Sequence, residues 1–253
     1  EELESLSATE KANMLFIVQD PYTSYYDAKV VRDFVVLTQK LGFEPILLPF
    51  KPNGKAMHIK GFLTRFSKTA KTQAEFLNRV AKLNVPLVGV DPAIVLSYRD
   101  EYKEALGDSR GDFHVLTAHE WLTNQLESNT LQSAVKNIAK SDRTFEWHLF
   151  PHCTESTFMP NSPKEWQHIF AQFGQTLNVE KVGCCGMAGV FGHEIQNQTM
   201  SKDIYDVSWS KKLQGKDPNH CLATGYSCRS QVKRYEKAIL KHPVQALLEV
   251  LNN

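Results

Sequence analysis

No cysteine occurs in the first 152 residues of this 253-residue chain; all five, Cys153, Cys184, Cys185, Cys221 and Cys228, fall in the remainder. An odd, one-sided set without a secretion signal argues against a disulfide framework and turns attention to metal or redox chemistry. Net charge is also scarce. The 29 lysines and arginines nearly cancel the 28 aspartates and glutamates, so no basic field exists for phosphate or acidic lipid, and nucleic acid is not an expected partner. No run approaches the roughly 20 apolar residues that span a bilayer, and Glu1-Glu2-Leu3-Glu4 lacks the basic start and apolar core of a signal peptide. The expectation is a cytoplasmic protein that is not transmembrane, with peripheral attachment at the inner membrane face left open. The chain starts without methionine and runs charged and without a helix cap to Asn13, as a domain cut from a longer protein would.

What is present is an alternation of strand-like and helix-like segments. Strands are expected at Met14–Gln19, Glu44–Leu48 and Pro86–Val90, with helices near Asp27–Leu41 and Thr72–Leu83. The second half repeats the order: strands Glu146–Phe150, Glu180–Cys184 and Cys221–Thr224, helices Pro163–Leu177 and Asp203–Leu213. This is the pattern of an α/β protein with mainly parallel sheets. The halves also echo each other in detail. Val30, Phe34, Leu37 and Leu41 form an apolar stripe that Trp166, Phe170, Phe173 and Leu177 repeat 136 positions on, and the stripes are followed by Gly42 and Asn178, both suited to a helix C-cap. The expected fold is two similar Rossmann-like halves, 1–138 and 139–253, related by a pseudo-twofold duplication.

In a parallel sheet, ligands gather beyond the carboxyl ends of the strands. Cys153 follows Trp147–Phe150, Cys228 follows Leu222–Thr224, and on the 136-residue offset Cys184 and Cys185 end a strand. Thiolates so placed converge on one rim, and soft sulfur selects zinc, copper(I) or iron–sulfur centres. Adjacent strand cysteines point to opposite faces, so both reach one site only if the chain bends. Gly183, Gly186 and Gly189 permit such a bend and a close approach of backbone to a bulky group. A buried glycine turn with cysteines as small apolar fillers is the plain alternative. Cys221, inside a strand, reads as core.

Three other side chains could serve the site. His152 could donate to a cluster sulfur or carry protons, or make an ordinary strand-end pairing; His193 and Glu194 could face the same cavity as acid–base groups, or simply cap. Arg229 could offset thiolate charge, with a surface salt bridge as the competing explanation. The basic string Lys51, Lys55, His58 and Lys60 has no phosphate-binding motif beside it; it is a solvated loop or a docking face.

One cysteine, 30 residues, the pair Cys184-Cys185 followed by Gly186, and 42 residues between Cys185 and Cys228 resemble the cysteine-rich CCG domain of heterodisulfide reductases and of glycolate and lactate oxidase iron–sulfur subunits. The strings His152-Cys153-Thr154-Glu155, Cys184 to Gly192 and Gly225 to Gln231 are most similar to the fused flavin and iron–sulfur type, to which the bacterial D-2-hydroxyglutarate dehydrogenases belong. Asp91-Pro92-Ala93 and Tyr98 to Tyr102 resemble that type's first-half motif. The resemblance covers nearly the whole chain as two CCG units, of which the first is degenerate, offering Leu48-Pro49 and Ile94 where cysteines would stand. Family units commonly end in Cys-x-x-Cys; here Gly225 replaces the first of these. The resemblance implies a C-terminal electron-transfer region with one iron–sulfur cluster, of the 4Fe–4S kind, held by Cys153, Cys184, Cys185 and Cys228. It further implies FAD and ferredoxin-like domains elsewhere in a parent dehydrogenase of small D-2-hydroxy acids, and no activity for this region alone. A metal-free thiol–disulfide enzyme and a zinc-stabilised interaction module are the alternatives.

Overall fold

The computed structural model describes residues 5–128, 131 and 144–252. The chain divides into two compact units, Glu1–Trp121 and Leu122–Asn253, the division falling within the helix Ala118–Glu127. The boundary expected after residue 138 lies outside the described residues.

In the first unit, strands β1 (Met14–Val18), β2 (Glu44–Leu47), β3 (Leu87–Gly89) and β4 (Val115–Thr117) form a parallel sheet in the order β2-β1-β3-β4. All five β1 residues, Met-Leu-Phe-Ile-Val, are buried, as a central parallel strand covered on both faces requires. The helix Ala28–Lys40 presses Val30, Phe34 and Leu37 inward. The long helix Leu63–Ala81 contributes Phe66, Ala70, Ala74 and Leu77 to a core with Phe16, Val18 and Leu87. The segment expected to lack a cap holds a short helix, Ala8–Lys11, closed by a reciprocal Ser7–Glu10 capping box.

In the second unit, β5 (Glu146–Phe150), β6 (Thr176–Val179) and β7 (Cys221–Ala223) form a parallel sheet ordered β6-β5-β7. Each unit's first strand is thus central, with its second and third strands on either side, which is compatible with duplication. The offset is not the expected one. Met14 corresponds to Glu146, Glu44 to Thr176 and the left-handed Gly42 (φ 90°) to the left-handed Gly174 (φ 67°), all 132 positions apart. Asn178 is therefore no C-cap; it lies inside β6, and Glu180–Cys184 is a loop. The slip is four residues, about one helical turn, so an apolar stripe matches almost equally well in either alignment. The core-facing residues of helix Ser162–Gln172 and its C-cap are Trp166, Ile169, Phe170 and Phe173.

The basic string is partly absorbed within the first unit: Lys55 pairs with Glu101, and Lys51 sits 5.6 Å from the Phe76 ring centre. Beyond the ends of β1 and β3, Asp20 and Asp91 cap the helices Pro21–Tyr26 and Pro92–Arg99. Burial, then the charge of Asp91, pushes the Asp20 carboxyl up to about 6, against hydrogen bonds from Thr23 and Tyr22. A carboxyl raised in the folded state stabilises below its unfolded value, near 4, relative to higher pH; this contribution is lost as pH rises through 6. Asp20→Asn keeps a capping oxygen without the charge. Urea titrations should find the variant about 1–3 kcal/mol more stable than the parent at about pH 8, with the gain fading toward about pH 4.

Candidate functional site: a row of four thiols

Three segments meet beyond the carboxyl ends of β5, β6 and β7. After β5 the chain turns through Pro151 into helix Cys153–Phe158, with His152 as N-cap. Its Nδ1 accepts from the Thr154 N–H (3.2 Å), so the neutral ring carries its proton on Nε2, which faces Ser227 Oγ at 3.2 Å. The His152 N–H donates to Thr224 Oγ1 (2.9 Å). After β7, helix Tyr226–Tyr235 begins and carries Cys228 in its first turn. After β6 comes the loop with Cys184 and Cys185, five and six residues past the strand end.

These segments bring the predicted cysteines together. Cys153 contacts Cys184, Cys184 contacts Cys185, and Cys185 contacts Cys228, each pair within thiol hydrogen-bond reach. Cys185 and Cys228 are buried, while Cys153 and Cys184 are partly open. Cys184 is held far below the usual thiol range by the thiols of Cys153 and Cys185 and by the N–H groups of Gly186 (3.3 Å) and Ala188, against burial. Cys153 is pushed up, as donor to Cys184 and by burial; Cys185 is pushed up by its bonds to Cys184 and Cys228 and by burial. Cys221 stands apart in β7, fully buried, with burial raising its thiol to about 11. Among the described residues no group of three or more His, Cys, Asp or Glu side chains is arranged to hold a metal ion; the thiols form a row.

The loop bends as the glycines allow. Gly186 has φ 83° and Gly189 φ 70°, and even Ala188 is left-handed at φ 41°. Successive N–H groups of Gly186, Met187 and Ala188 then turn toward the two sulfurs. Gly183 is fixed at both polar atoms: its N–H donates to Ser208 Oγ (2.7 Å) and its carbonyl accepts from Trp209 Nε1 (3.0 Å). Ser208 and Trp209 lie on a π-helical turn, Asp206–Ser210, a distortion frequent at functional sites.

The remaining candidates are placed differently. Arg229 is buried, not in a surface salt bridge; its Nη1 donates to the carbonyls of Ala223 (2.9 Å) and Thr224 (3.0 Å), holding the end of β7. His193 is lowered by burial and by Arg234, whose Nη2 lies 3.4 Å from its Nδ1. Glu194 accepts from Asn197 Nδ2 (2.7 Å) and Gln196 Nε2 (3.3 Å). Sequence reasoning missed Glu155, a buried carboxylate that accepts from Ser162 and Thr224, and the Ser201 and Gln231 side chains beneath the cysteine loop.

Gly225, where a family cysteine would stand, is explained by its neighbour. A Cβ there would lie 2.2 Å from His152 Cδ2 and 2.9 Å from Cγ, although its φ of −87° suits any residue. Gly225→Ala should cost about 1–3 kcal/mol, and His152→Ala in the same chain should recover part of it. A double-mutant cycle by urea unfolding is expected to give a coupling of about 1 kcal/mol or more.

No protein-family model matches the chain. It is 82% identical over 251 residues to the D-2-hydroxyglutarate dehydrogenase of Haemophilus influenzae and 58% identical to that of Escherichia coli, each match covering 99% of this chain and 24% of the relative. A distant similarity, 22% identity over 241 residues, extends to 57% of one component of the anaerobic glycerol-3-phosphate dehydrogenase of Escherichia coli. The chain spans about a quarter of the length of the dehydrogenases it matches, and along nearly all of its own length it is similar to that region of the D-2-hydroxyglutarate dehydrogenases.

Proposed function

We propose that this chain is the iron–sulfur electron-transfer region of a flavin-dependent dehydrogenase of small D-2-hydroxy acids, working in the cytoplasm. FAD and ferredoxin-like domains would belong to the rest of the parent protein. The observation that carries this reading is the row of four thiols at the carboxyl rim of β6-β5-β7, in a chain similar end to end to part of a dehydrogenase. Four soft donors, with backbone N–H groups directed at the sulfurs of Cys184 and Cys185, suit an iron–sulfur cluster of the 4Fe–4S kind, which when bound accepts and passes on single electrons.

Cys153, Cys184, Cys185 and Cys228 would hold the cluster. Cys184, lowered by its neighbours, would be the thiol of the row that ionises most readily, and the N–H groups of Gly186, Met187 and Ala188 would temper the negative charge on its sulfur and that of Cys185. Arg229 and His152 secure the backbone from which Cys228 and Cys153 project. Substrate oxidation belongs to the flavin, so the chain by itself should show no turnover of D-2-hydroxy acids with an artificial acceptor.

A second reading is favoured by one observation: a depressed thiolate, Cys184, beside a partner thiol, Cys153, is also the start of metal-free thiol–disulfide chemistry. Metal analysis of anaerobically purified protein separates the readings. Iron with acid-labile sulfide supports the proposal. Zinc alone would make the chain an interaction module. Metal-free protein that refuses iron and sulfide, yet forms a Cys153–Cys184 disulfide reversibly, would establish the thiol reading.

A further inference from the structure

The core beneath the cysteine loop is apolar, built from Phe150, Met187, Tyr205, Trp209 and Val232. Two polar side chains interrupt it. Gln231 and Ser201 are both fully buried. The Gln231 Nε2 donates to the Cys185 carbonyl (2.9 Å) and to Ser201 Oγ (2.9 Å), and Ser201 Oγ donates onward to the Gly186 carbonyl (2.7 Å). The amide orientation is dictated by its partners, since the reversed one would set two carbonyl oxygens against each other. Gln231 Oε1 is left without a hydrogen-bond partner among the described residues. Leaving a buried acceptor unmet costs about 1–3 kcal/mol. An apolar residue of similar volume would avoid that cost, so stability alone does not account for an amide here.

Position does. Gln231 sits one turn after Cys228 on helix Tyr226–Tyr235, and Ser201 lies on helix Gln198–Tyr205. The pair therefore ties the Cys228 helix to the backbone of Cys185 and Gly186. Two glycines admit Ser201: a Cβ on Gly186 would meet its carbonyl oxygen at 2.1 Å, and one on Gly192 its Oγ at 2.6 Å. Taking the thiols as cluster ligands, as proposed above, we infer that Gln231, acting with Ser201, is a positioning residue that sets the register between Cys228 and the Cys184–Cys185 loop.

The test compares the parent chain with Gln231→Met and, should that variant fold poorly, Ser201→Ala. In metal-free, reduced protein, alkylation of individual cysteines is followed by mass spectrometry. Cys185 should react roughly ten-fold faster in the variants, by analogy with the loss seen on removing outer-shell partners. Cys221, equally buried in the same core but outside the clamp, should keep the parent rate. After anaerobic reconstitution, iron should be lost to a chelator roughly ten-fold faster. Cys185 and Cys221 accelerating together, or neither accelerating, overturns the positioning role in favour of general packing. Iron loss at the parent rate, in a chain that does bind iron, overturns it as well. A parent chain that takes up no iron refutes the proposed function instead, and the alkylation comparison alone then decides the clamp.

Discussion

Cys185→Ser is expected to remove nearly all bound iron and acid-labile sulfide after anaerobic reconstitution, whereas Cys221→Ser leaves both at the parent level. Cys185 is the link between Cys184 and Cys228 in the thiol row, so its loss interrupts the donor set at an interior position. Serine offers a hard oxygen of much higher pKa in a site where burial already resists ionisation. Affinity should fall by at least the roughly 10–100-fold seen when even an outer-shell partner is removed. Cys221 is buried to the same degree, and its nearest charged influences are Lys216, Asp217 and Glu180 rather than the other thiols. Iron and sulfide assays, with the visible spectrum of each protein, make the comparison. Equal losses in the two variants would show that cysteine burial, and not membership of the row, governs cluster retention.

Gly186→Ala should be the most damaging single change in the second unit, costing about 3 kcal/mol or more. Two penalties combine. The left-handed φ of 83° strains any residue with a Cβ, and that Cβ would stand 2.1 Å from the Ser201 carbonyl oxygen and 3.0 Å from its carbon. These are backbone atoms of a helix and cannot swing aside. Gly215→Ala is the internal control, with φ 78° but nothing within 4 Å of its Cβ. It should cost only the backbone term, about 1 kcal/mol. Urea unfolding of the two variants separates clash from conformation; similar losses would mean that the loop shifts freely away from Ser201.

The strand β1 was legible because a buried parallel strand reads as a short apolar run between polar segments, and Glu146–Phe150, with Trp147 and Leu149 alternating against Glu146 and His148, needed no adjustment. The cysteine pair was legible as chemistry but misplaced as structure. A 136-residue offset kept the stripe of Trp166 and Phe170 in phase while moving the next strand four residues too far, so Cys184 was expected to end a strand that finishes at Val179. Gly174, left-handed like Gly42 and 132 positions after it, was the available signal. The backbone contacts of Arg229 could not be read from the sequence, because a charge next to a cysteine suggests electrostatics and gives no sign of the two carbonyls it holds at the end of β7. The Ser201–Gln231 bridge joins residues 30 positions apart through a third segment, and no local pattern announces such a contact. Helices beginning at Cys153 and Tyr226 were likewise hidden, since six to ten residues give too few turns for a clear apolar period.

The contact between His152 and Gly225 also limits the routes by which such a chain can change. A Cβ at 225 would stand 2.2 Å from the imidazole Cδ2, so the ring cannot lie where it now does opposite any side chain at 225. Placing a cysteine there requires the histidine to move or to leave, and with it go the cap on the Cys153 helix and the contact to Ser227. A further thiol therefore cannot be added at this point of the rim by one substitution without disturbing the support of Cys153.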